Sequence, residues 1–253
     1  MAVLTMTNER LRRAMLMKGL DPAGLAERAG ASTKSVERWI SGKTVPYPKV
    51  RFKVASILGE DESYLWTTAK RDYDALAQAE VVAMYASRSD VPRDMWVDLL
   101  RRAQRQVDVL VYAGMFLCEE HPEWIPLLAE KMRTGVRVRL LLGDRSGTQV
   151  AARDAEYNIG GGVGGRISAV LAHYRRLSGK KGLEMRLHDT PLYNSIYRFD
   201  DDMIVNVHAY GLLAFHTPTL QLRRLEGRIF DTYAESFERC WFAARPYDNK
   251  GRQ

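Results

Sequence analysis

The sequence predicts two domains, an all-α bundle at the N-terminus followed by a larger α/β domain. Short helical patterns separated by turn residues fill residues 8–66, and strand patterns alternate with helical ones in most of the remaining chain. Charge divides in a similar way, because residues 1–58 carry 11 Lys/Arg against four Asp/Glu, a net +7, while the other 195 residues balance to zero. We place the two domains at residues 1–70 and 71–253.

The composition is that of an ordinary soluble globular protein, with 253 residues, 46% of them hydrophobic and 27% charged. The longest apolar run, Val109 to Cys118, is half as long as a bilayer crossing requires, and the N-terminal MAVLTMTNERLRRAM lacks a signal-peptide layout. We therefore expect a cytoplasmic protein with no membrane partner. Cys118 and Cys240 are too few for a disulfide framework or a thiolate metal site, so both are expected to be buried free thiols.

The N-terminal domain opens with two predicted helices. NERLRRAMLMKG places Leu11, Ala14 and Met15 on one face and ends at Gly19. DPAGLAERAG has the signals of a second helix, with Asp21 as its N-cap, a proline in the first helical position and a glycine at its end. Both segments are short, as expected of a small helical bundle.

A third helix is predicted in STKSVERWISGK. Ser32 or Thr33 caps it, and Val36, Trp39 and Ile40 form a narrow apolar stripe. The second and third helices are joined by a turn that contains glycine, which is the layout of a helix-turn-helix. In a basic segment this layout indicates a nucleic-acid-binding module, whereas the alternative is a merely solvated basic surface.

LAERAGASTKSVERWISGK, followed by VASILGEDESYLW, resembles the λ-repressor and Cro type of DNA-binding domain, the XRE family. Ala26 stands at the small residue of the second helix, Gly30 at the turn and Val36 at the buried contact of the recognition helix. In that family the recognition helix lies in the major groove with its N-terminal residues at base edges. The resemblance therefore implies a double-stranded DNA operator as the partner.

Thr33, Lys34 and Arg38 are the base-reading residues that this resemblance implies. Their chemistry fits, because the major groove offers guanine acceptors to Arg and Lys and the thymine methyl group to Thr. Other residues are expected to hold phosphates without reading sequence, namely Arg10, Ser41, Lys43 and Lys49. The alternative for each of the charged side chains is a solvated helix face.

The larger domain begins with a predicted helix from Asp72 that contains Leu76, Ala79, Val82, Ala83 and Ala86. Further helices are predicted in MWVDLLRRAQRQ, WIPLLAEKMRTG and DTYAESFERCWFAA. Strands are predicted in VDVLVYAGMF, VRVRLLLGD, LEMRLHDT, YNSIYRF, MIVNVHAYG and LQLRRL. This order of elements indicates an α/β sheet.

The glycine-rich segment NIGGGVGGR, residues 158–166, contains the spacing GxGxxG. It follows the polar stretch RDAEY instead of a strand, so it lacks the context of a dinucleotide-binding site. We predict a flexible loop here, one that could also act as a lid.

Residues 95–245 resemble a phospholipase D-like domain in the order of their segments. Active members carry a half-site of His, any residue, Lys, four residues and Asp, followed shortly by a Gly-Ser step. Aligning Asp200 with the motif's Asp puts Tyr193 at the His and Ser195 at the Lys, and the Gly-Ser step falls on Val207 and His208. Only the aspartate of the motif is present.

The lost residues are the ones that carry the family's chemistry. In this family the His is the nucleophile and the Lys steadies the phosphoryl charge, whereas a tyrosine with a pKa near 10 and no adjacent base is a poor substitute. We therefore predict that the protein is not an enzyme and that the same strands bind a small-molecule or nucleotide ligand. The residues predicted to line that site are Tyr193, Ser195, Asp200, Asn206, His208 and Tyr210.

Three histidines, His188, His208 and His216, fall within 29 residues of one another. Imidazole can serve as a base, a nucleophile or a metal ligand. The HxH and HExxH spacings are absent and no cysteine lies close in sequence, so neither a metal nor a cofactor is predicted. The remaining alternatives are a pocket that binds a ligand without turnover and plain structural roles.

Taken together, these patterns predict a bacterial one-component transcription regulator that resembles the actinobacterial proteins in which these two modules are joined. A single helix-turn-helix reads only a few base pairs, so a homodimer that reads two half-sites is expected. Two other classes stay open. One is a phosphodiesterase or nuclease with a non-standard active site, which the motif losses oppose, and the other is an immunity or antitoxin-type interaction protein.

Overall fold

The computed structural model describes residues 7–66, 77–225 and 227–247. It divides the chain into two compact units, residues 1–76 and 77–253. The boundary predicted near residue 71 lies outside the described residues. The prediction of an all-α N-terminal unit followed by an α/β unit is confirmed.

Five helices form the described part of the first unit: α1 (Glu9–Met17), α2 (Pro22–Ala29), α3 (Thr33–Ile40), α4 (Pro48–Leu58) and α5 (Glu62–Leu65). Asn8, Asp21, Ser32 and Asp61 precede four of them, and each side chain accepts a hydrogen bond from a backbone N–H of the first turn. Gly30 ends α2 with a φ of 72°, a left-handed conformation that glycine adopts without strain.

The helices of the first unit pack their apolar sides together into one hydrophobic core. The buried side chains include Leu11, Leu25, Val36, Trp39, Val54, Leu58 and Leu65. Each of these helices is too short to be stable by itself in water, so burial of the shared core holds them together. A nearly buried ion pair between Arg51 Nε and Glu62 Oε1, 2.8 Å apart, ties α4 to α5.

An eight-stranded mixed sheet forms the centre of the second unit. Its strands are β1 (Val81–Tyr85), β2 (Gln106–Val111), β3 (Arg137–Gly143), β4 (Leu183–His188), β5 (Asn194–Phe199), β6 (Asp202–Val207), β7 (Thr219–Arg223) and β8 (Arg245–Pro246). They lie in the order β1-β7-β6-β5-β2-β3-β4-β8. The β2–β3 and β3–β4 pairs are parallel, and the other pairs are antiparallel.

Six α-helices with both ends inside the described ranges follow in the second unit: α6 (Arg93–Arg102), α7 (Phe116–Glu119), α8 (Trp124–Arg133), α9 (Thr148–Tyr157), α10 (Gly162–Tyr174) and α11 (Ile229–Ala243). None of the helices within the described ranges is long and apolar enough to cross a membrane.

Both faces of the sheet are covered by helices. Arg139 on β3 and Asp108 on β2 are register partners and point to the face that α11 covers through Glu238. Phe199 on β5 is the register partner of Val107, the residue before Asp108, and therefore points to the opposite face. There it contacts Trp124 of α8, with the ring centroids 6.2 Å apart. Because successive strand residues alternate between the two faces, the central strands are apolar almost throughout.

Residues 81–85, predicted as part of a helix, form the edge strand β1 instead. The strand pairs antiparallel with β7, with Tyr85 opposite Thr219. Val82 and Met84 are exposed, while Val81, Ala83 and Tyr85 are half-buried. The prediction was wrong because pairing with a strand more than 130 residues away overrides a local helical pattern.

The predicted glycine-rich loop is largely helical. α10 begins at Gly162, so only residues 158–161 of NIGGGVGGR lie outside a helix. Asp154 Oδ1 accepts a hydrogen bond of 2.7 Å from the Val163 N–H, which stabilises the helix start despite its glycines. The preceding polar stretch containing RDAEY, for which no element was predicted, belongs to α9.

Candidate functional site

The exposed face of α3 carries the three residues predicted to read bases. Val36 and Trp39 are buried in the core of the first unit, whereas Thr33, Lys34 and Arg38 are exposed. Lys34 and Arg38 are four residues apart and therefore lie on one side of the helix. One short helix thus presents two cations and a threonine to the solvent.

The four residues predicted to hold phosphates differ in their surroundings. Lys43 and Lys49 are exposed, and the Ser41 hydroxyl donates to the Arg38 carbonyl oxygen at 3.2 Å. Arg10 is engaged within the unit, because its Nη1 donates to the Tyr64 carbonyl oxygen at 3.0 Å and its guanidinium lies 5.3 Å from the Tyr64 ring centroid. Arg10 is therefore less available to a phosphate than the two lysines.

A cavity of about 1170 Å³ lies in the second unit, lined by residues at the end of β2, the start of β5 and the end of β6. Residues of α10 line it as well. Two short 3-10 turns, Arg88–Asp90 and Ala214–His216, also contribute to its wall, and Ser89 Oγ donates to the Phe215 carbonyl oxygen at 3.2 Å between them.

Ser195 and His208 meet in this cavity. Ser195 Oγ lies 3.0 Å from His208 Nε2, and His208 Nδ1 lies 3.1 Å from the Leu192 carbonyl oxygen. A carbonyl can only accept, so we assign the proton to Nδ1, which leaves Nε2 to accept the Ser195 hydroxyl. Nη2 of Arg153 donates to the same carbonyl at 3.0 Å. Nη2 also lies 3.3 Å from His208 Nδ1, so these contacts fix the orientation of the imidazole, and the tautomer is assigned from the shorter contact to the carbonyl oxygen.

A serine hydroxyl bonded to a histidine is also the geometry of a nucleophile and its base. Burial lowers the pKa of His208 to about 4; the Leu192 carbonyl opposes this shift and the positive charge of Arg153 adds to it. An imidazole with such a pKa is neutral at pH 7 and is a weak base for a serine proton. The pair is better suited to hydrogen bonding than to activating its hydroxyl.

Arg153 is held rigidly at one side of the pair. Its Nη1 lies 2.9 Å from both carboxylate oxygens of Glu156, and its guanidinium lies 5.4 Å and 5.2 Å from the ring centroids of Tyr112 and Tyr157. The charge of Arg153 is therefore compensated within the protein. Its function in the free protein is to position the Leu192 carbonyl and His208.

Arg88 lies at the other side of the pair, beside a group of packed rings. Its guanidinium is 3.7 Å from the Phe116 ring centroid. Trp96, Phe116 and Tyr197 make edge-to-face contacts with one another. Burial raises the pKa of Tyr197, while the positive charge of Arg88 and the Ser195 hydroxyl oppose this rise. Arg88, Tyr197, Ser195 and His208 all line the cavity.

Tyr193 and Tyr210, two of the predicted ligand-binding residues, do not line the cavity. Their side chains are 79% and 90% exposed. In β5 the side chains alternate, so Ser195 and Tyr197 point into the cavity, whereas Tyr193 precedes the strand and faces solvent. Tyr210 lies beyond β6 in the loop that leads to the second 3-10 turn.

Asp200 and Asn206 have structural surroundings instead of lining the cavity. Asp200, in the β5–β6 turn with a φ of 54°, accepts backbone N–H bonds at 2.7 to 2.9 Å from residues 104–106. Asn206 is fully buried, and its Nδ2 donates to Thr217 Oγ1 at 2.9 Å and Thr219 Oγ1 at 3.1 Å. Asp200 therefore ties the β5–β6 turn to the start of β2 and the residues before it. Asn206 ties β6 to β7 and to the segment before β7.

The sequence alone did not indicate two of the cavity residues, Arg88 and Arg153. Arg153 sits in a polar stretch, and nothing in its local pattern indicated that its side chain would be buried. Arg88 belongs to SRSDVP, which has only the composition of a turn. Both lie more than 40 residues before Ser195, so no motif spacing links them to it.

The three histidines singled out in the sequence do not converge. His188 is buried, with Nε2 3.1 Å from the Val111 carbonyl oxygen, and burial lowers its pKa. His216 is exposed beside Phe215. Over the described ranges, no group of three or more His, Cys, Asp or Glu side chains could hold a metal ion.

The sequence and fold were compared with known proteins. A family model described as a domain of unknown function (DUF5919) matches residues 77–248. The curated proteins contain no match. TrmBL2, an archaeal chromatin protein whose structure shows a novel mode of DNA binding, has a similar structure with 15% identity over 95% of this chain and 94% of that one, at a TM-score of 0.43.

A phospholipase D family member, Nuc from Salmonella typhimurium, is also similar. Its identity is 13% over 62% of this chain and 91% of that one, at a TM-score of 0.38. At these identities and scores, neither likeness assigns a function to the present chain.

Proposed function

The chain belongs to the DUF5919 family, and we propose that it is a sequence-specific DNA-binding transcription regulator whose family domain binds a ligand and dimerises. The observation that carries this proposal is the exposure of Thr33, Lys34 and Arg38 on one helix of a basic unit. Binding to DNA uses both the positive charge of the first unit and the residue types on that helix.

The DNA-binding unit is of the Cro/C1 (XRE) type in this proposal. α2, a turn with Gly30 in a left-handed conformation and α3 follow one another as a helix-turn-helix requires, and α3 is the recognition helix. Its cations contact guanines, while Lys43 and Lys49 bind phosphates. A homodimer places two such helices on two half-sites, which multiplies the specificity of a single helix.

The family domain acts as a sensor and not as a phosphodiesterase, in a phospholipase D-like frame. Ser195 occupies the position at which the resemblance would require a lysine, and the exposed Tyr193 occupies that of the nucleophile. The cavity instead holds a neutral His208 hydrogen-bonded to Ser195, surrounded by aromatic rings. A large, partly apolar cavity with a few polar groups is typical of small-molecule sites.

A second candidate function is favoured by the Ser195–His208 contact alone. A DNA-targeted phosphodiesterase or nuclease could use the serine as an unfamiliar nucleophile. The low pKa of His208 weighs against it, as does the guanidinium of Arg153, which opposes a positive charge on the imidazole during proton transfer.

Replacing Arg38 with alanine is expected to weaken operator binding by about 1 to 3 kcal/mol per half-site and to relax the preference at one base position. The reason is the loss of a bidentate contact to guanine. The operator is first selected from random duplexes with the wild-type chain, and affinities are then measured for all single-base variants at several salt concentrations.

Lys43→Ala is the matched control for Arg38→Ala. It removes one exposed cation near the same helix and is expected to weaken binding to all duplexes alike, with a shallower dependence on salt. An unchanged base preference in Arg38→Ala would refute the base-reading role. Failure of the wild-type protein to select any sequence would refute the regulator proposal itself.

Purified protein is expected to hydrolyse neither duplex DNA nor a chromogenic phosphodiester, with or without divalent metal ions. Nothing in the cavity combines a strong nucleophile with a positively charged group at the Ser195 position. Turnover that disappears in both Ser195→Ala and His208→Gln would establish the enzyme alternative. Turnover that persists in both variants would show that the Ser195–His208 pair does not carry it.

A further inference from the structure

The charges inside the cavity are not balanced. Arg153 is paired with Glu156 at 2.9 Å, but across the described part of the chain Arg88 forms no ion pair with a carboxylate. The Arg88 side chain is nonetheless half-buried, with its guanidinium against the Phe116 ring. A partly desolvated cation without an anion is costly, so a ligand anion at this position would be favoured.

The carboxylates that line the cavity do not balance this charge. Asp90, Glu119 and Glu120 are all exposed. Asp90 is also engaged, because its Oδ2 accepts from the Ser87 backbone N–H at 3.0 Å and from the Ser87 hydroxyl at 2.8 Å. Arg93 and Arg166 also line the cavity but are exposed, so among the described lining residues Arg88 is the half-buried cation without a carboxylate partner, and solvent screens the exposed charges around it.

The surroundings of Arg88 define the rest of the ligand. Tyr197 lines the same cavity and offers a hydroxyl, and His208 adds no charge because its imidazole is neutral at pH 7. The lining is rich in rings, contributed by Trp96, Tyr112, Phe116, Tyr157, Tyr197 and Phe215. Flat apolar molecules pack well against such rings, whereas a fully polar ligand would make few favourable contacts with them.

We propose that the cavity binds an aromatic small molecule with a single negative charge, and that the Arg88 guanidinium binds its anionic group. This inference rests on the ligand-binding role proposed for the family domain. It adds to that role the charge, the ring character and the residue that selects for the anion.

Two fluorescent probes that differ by one anionic group test the inference on the full-length protein. They are 1-anilinonaphthalene-8-sulfonate, an aromatic monoanion, and N-phenyl-1-naphthylamine, which has the same rings and no sulfonate. We expect Arg88→Gln to weaken binding of the anionic probe by about 10- to 100-fold, the range for a hydrogen bond to a charged group, and to leave the neutral probe within about twofold. Arg88→Lys is expected to restore part of the loss.

Two control variants locate the binding and separate the outcomes. Arg166 lines the cavity but is exposed, so Arg166→Gln is expected to change the affinity for the anionic probe by less than about threefold. Gly165 lines the cavity, and a Cβ placed there meets no atom within 4 Å, so Gly165→Trp adds an indole at the cavity wall without a clash at its Cβ and is expected to weaken binding of both probes alike.

The results for the three variants test separate parts of the proposal. If Arg88→Gln weakens both probes equally or neither, or if Arg166→Gln matches its effect, the assignment of Arg88 is overturned although the cavity still binds ligands. If Gly165→Trp leaves the affinity for both probes unchanged, they bind elsewhere and the cavity is not the ligand site of the proposed sensor. DNA selection by the first unit is scored independently in either case.

Discussion

Arg139→Ala is expected to lower the free energy of unfolding of the second unit by about 3 to 5 kcal/mol, the cost of leaving one partner of a buried ion pair alone. Arg139 is 4% exposed and Asp108 is 1% exposed. Nε and Nη2 of Arg139 donate to the two oxygens of Asp108 at 2.7 and 2.9 Å. The guanidinium also binds Glu238 and lies 4.6 Å from the Phe237 ring centroid, so alanine removes packing as well as charge.

Denaturant unfolding of the full-length chain measures this loss. Arg101→Ala is the control, because Arg101 forms an exposed ion pair with Asp98 at 3.1 Å and its removal is expected to cost less than about 1 kcal/mol. A double variant, Asp108→Leu with Arg139→Met, removes both charges and should be less destabilised than Arg139→Ala. Similar losses for Arg139→Ala and Arg101→Ala would show that the buried network contributes little.

Acidification from pH 7 to pH 4 is expected to remove about 3 kcal/mol of stability through His208 alone, from a pKa near 6.5 in the unfolded chain and about 4 in the folded one. At pH values well above 6.5 the imidazole is neutral in both states, and the pH has no effect on stability through it. Between the two pKa values the unfolded chain binds a proton that the folded one does not, so stability falls as the pH falls. Below about pH 4 both states are protonated and the loss stops growing.

Unfolding curves of the wild type and His208→Gln between pH 7.5 and 4.5 isolate this contribution. The variant is expected to be the less stable protein at pH 7.5, since Ser195 loses its acceptor, but to lose less stability on acidification. His216→Gln, which removes an exposed imidazole, should follow the wild-type slope. Parallel curves for the wild type and His208→Gln would contradict the low pKa of His208. Any acid response shared by both comes from other groups, such as His188, whose pKa is also lowered by burial.

The N-terminal unit was predictable because its information is local. Asp21 and Ser32 lie one residue before their helices and bond within the first turn, and Gly30 ends α2 through its own backbone angle. The stripe of Val36 and Trp39 already indicates which face of α3 is buried and hence which face is left exposed. Local signals of this kind require no knowledge of distant segments.

The sheet was predictable only as a set of strands. The apolar character of the other strands could be recognised in the sequence. β1 was not predicted as a strand, because a half-exposed edge strand owes its conformation to its hydrogen bonds with β7. Burial within the sheet also placed Asn206 in a hydrogen-bond network instead of in the cavity.

By itself, the sequence determined the order of an all-α and an α/β unit, the location of the excess positive charge and the residues on the exposed face of α3. Only the tertiary structure decided the composition of the cavity. It brings Ser195 to His208 across the β5–β6 hairpin and adds Arg88 and Arg153 from segments more than 40 residues earlier. Pairing and burial act between residues that are far apart in the chain, and no local pattern of residue types records which distant partner a side chain will meet.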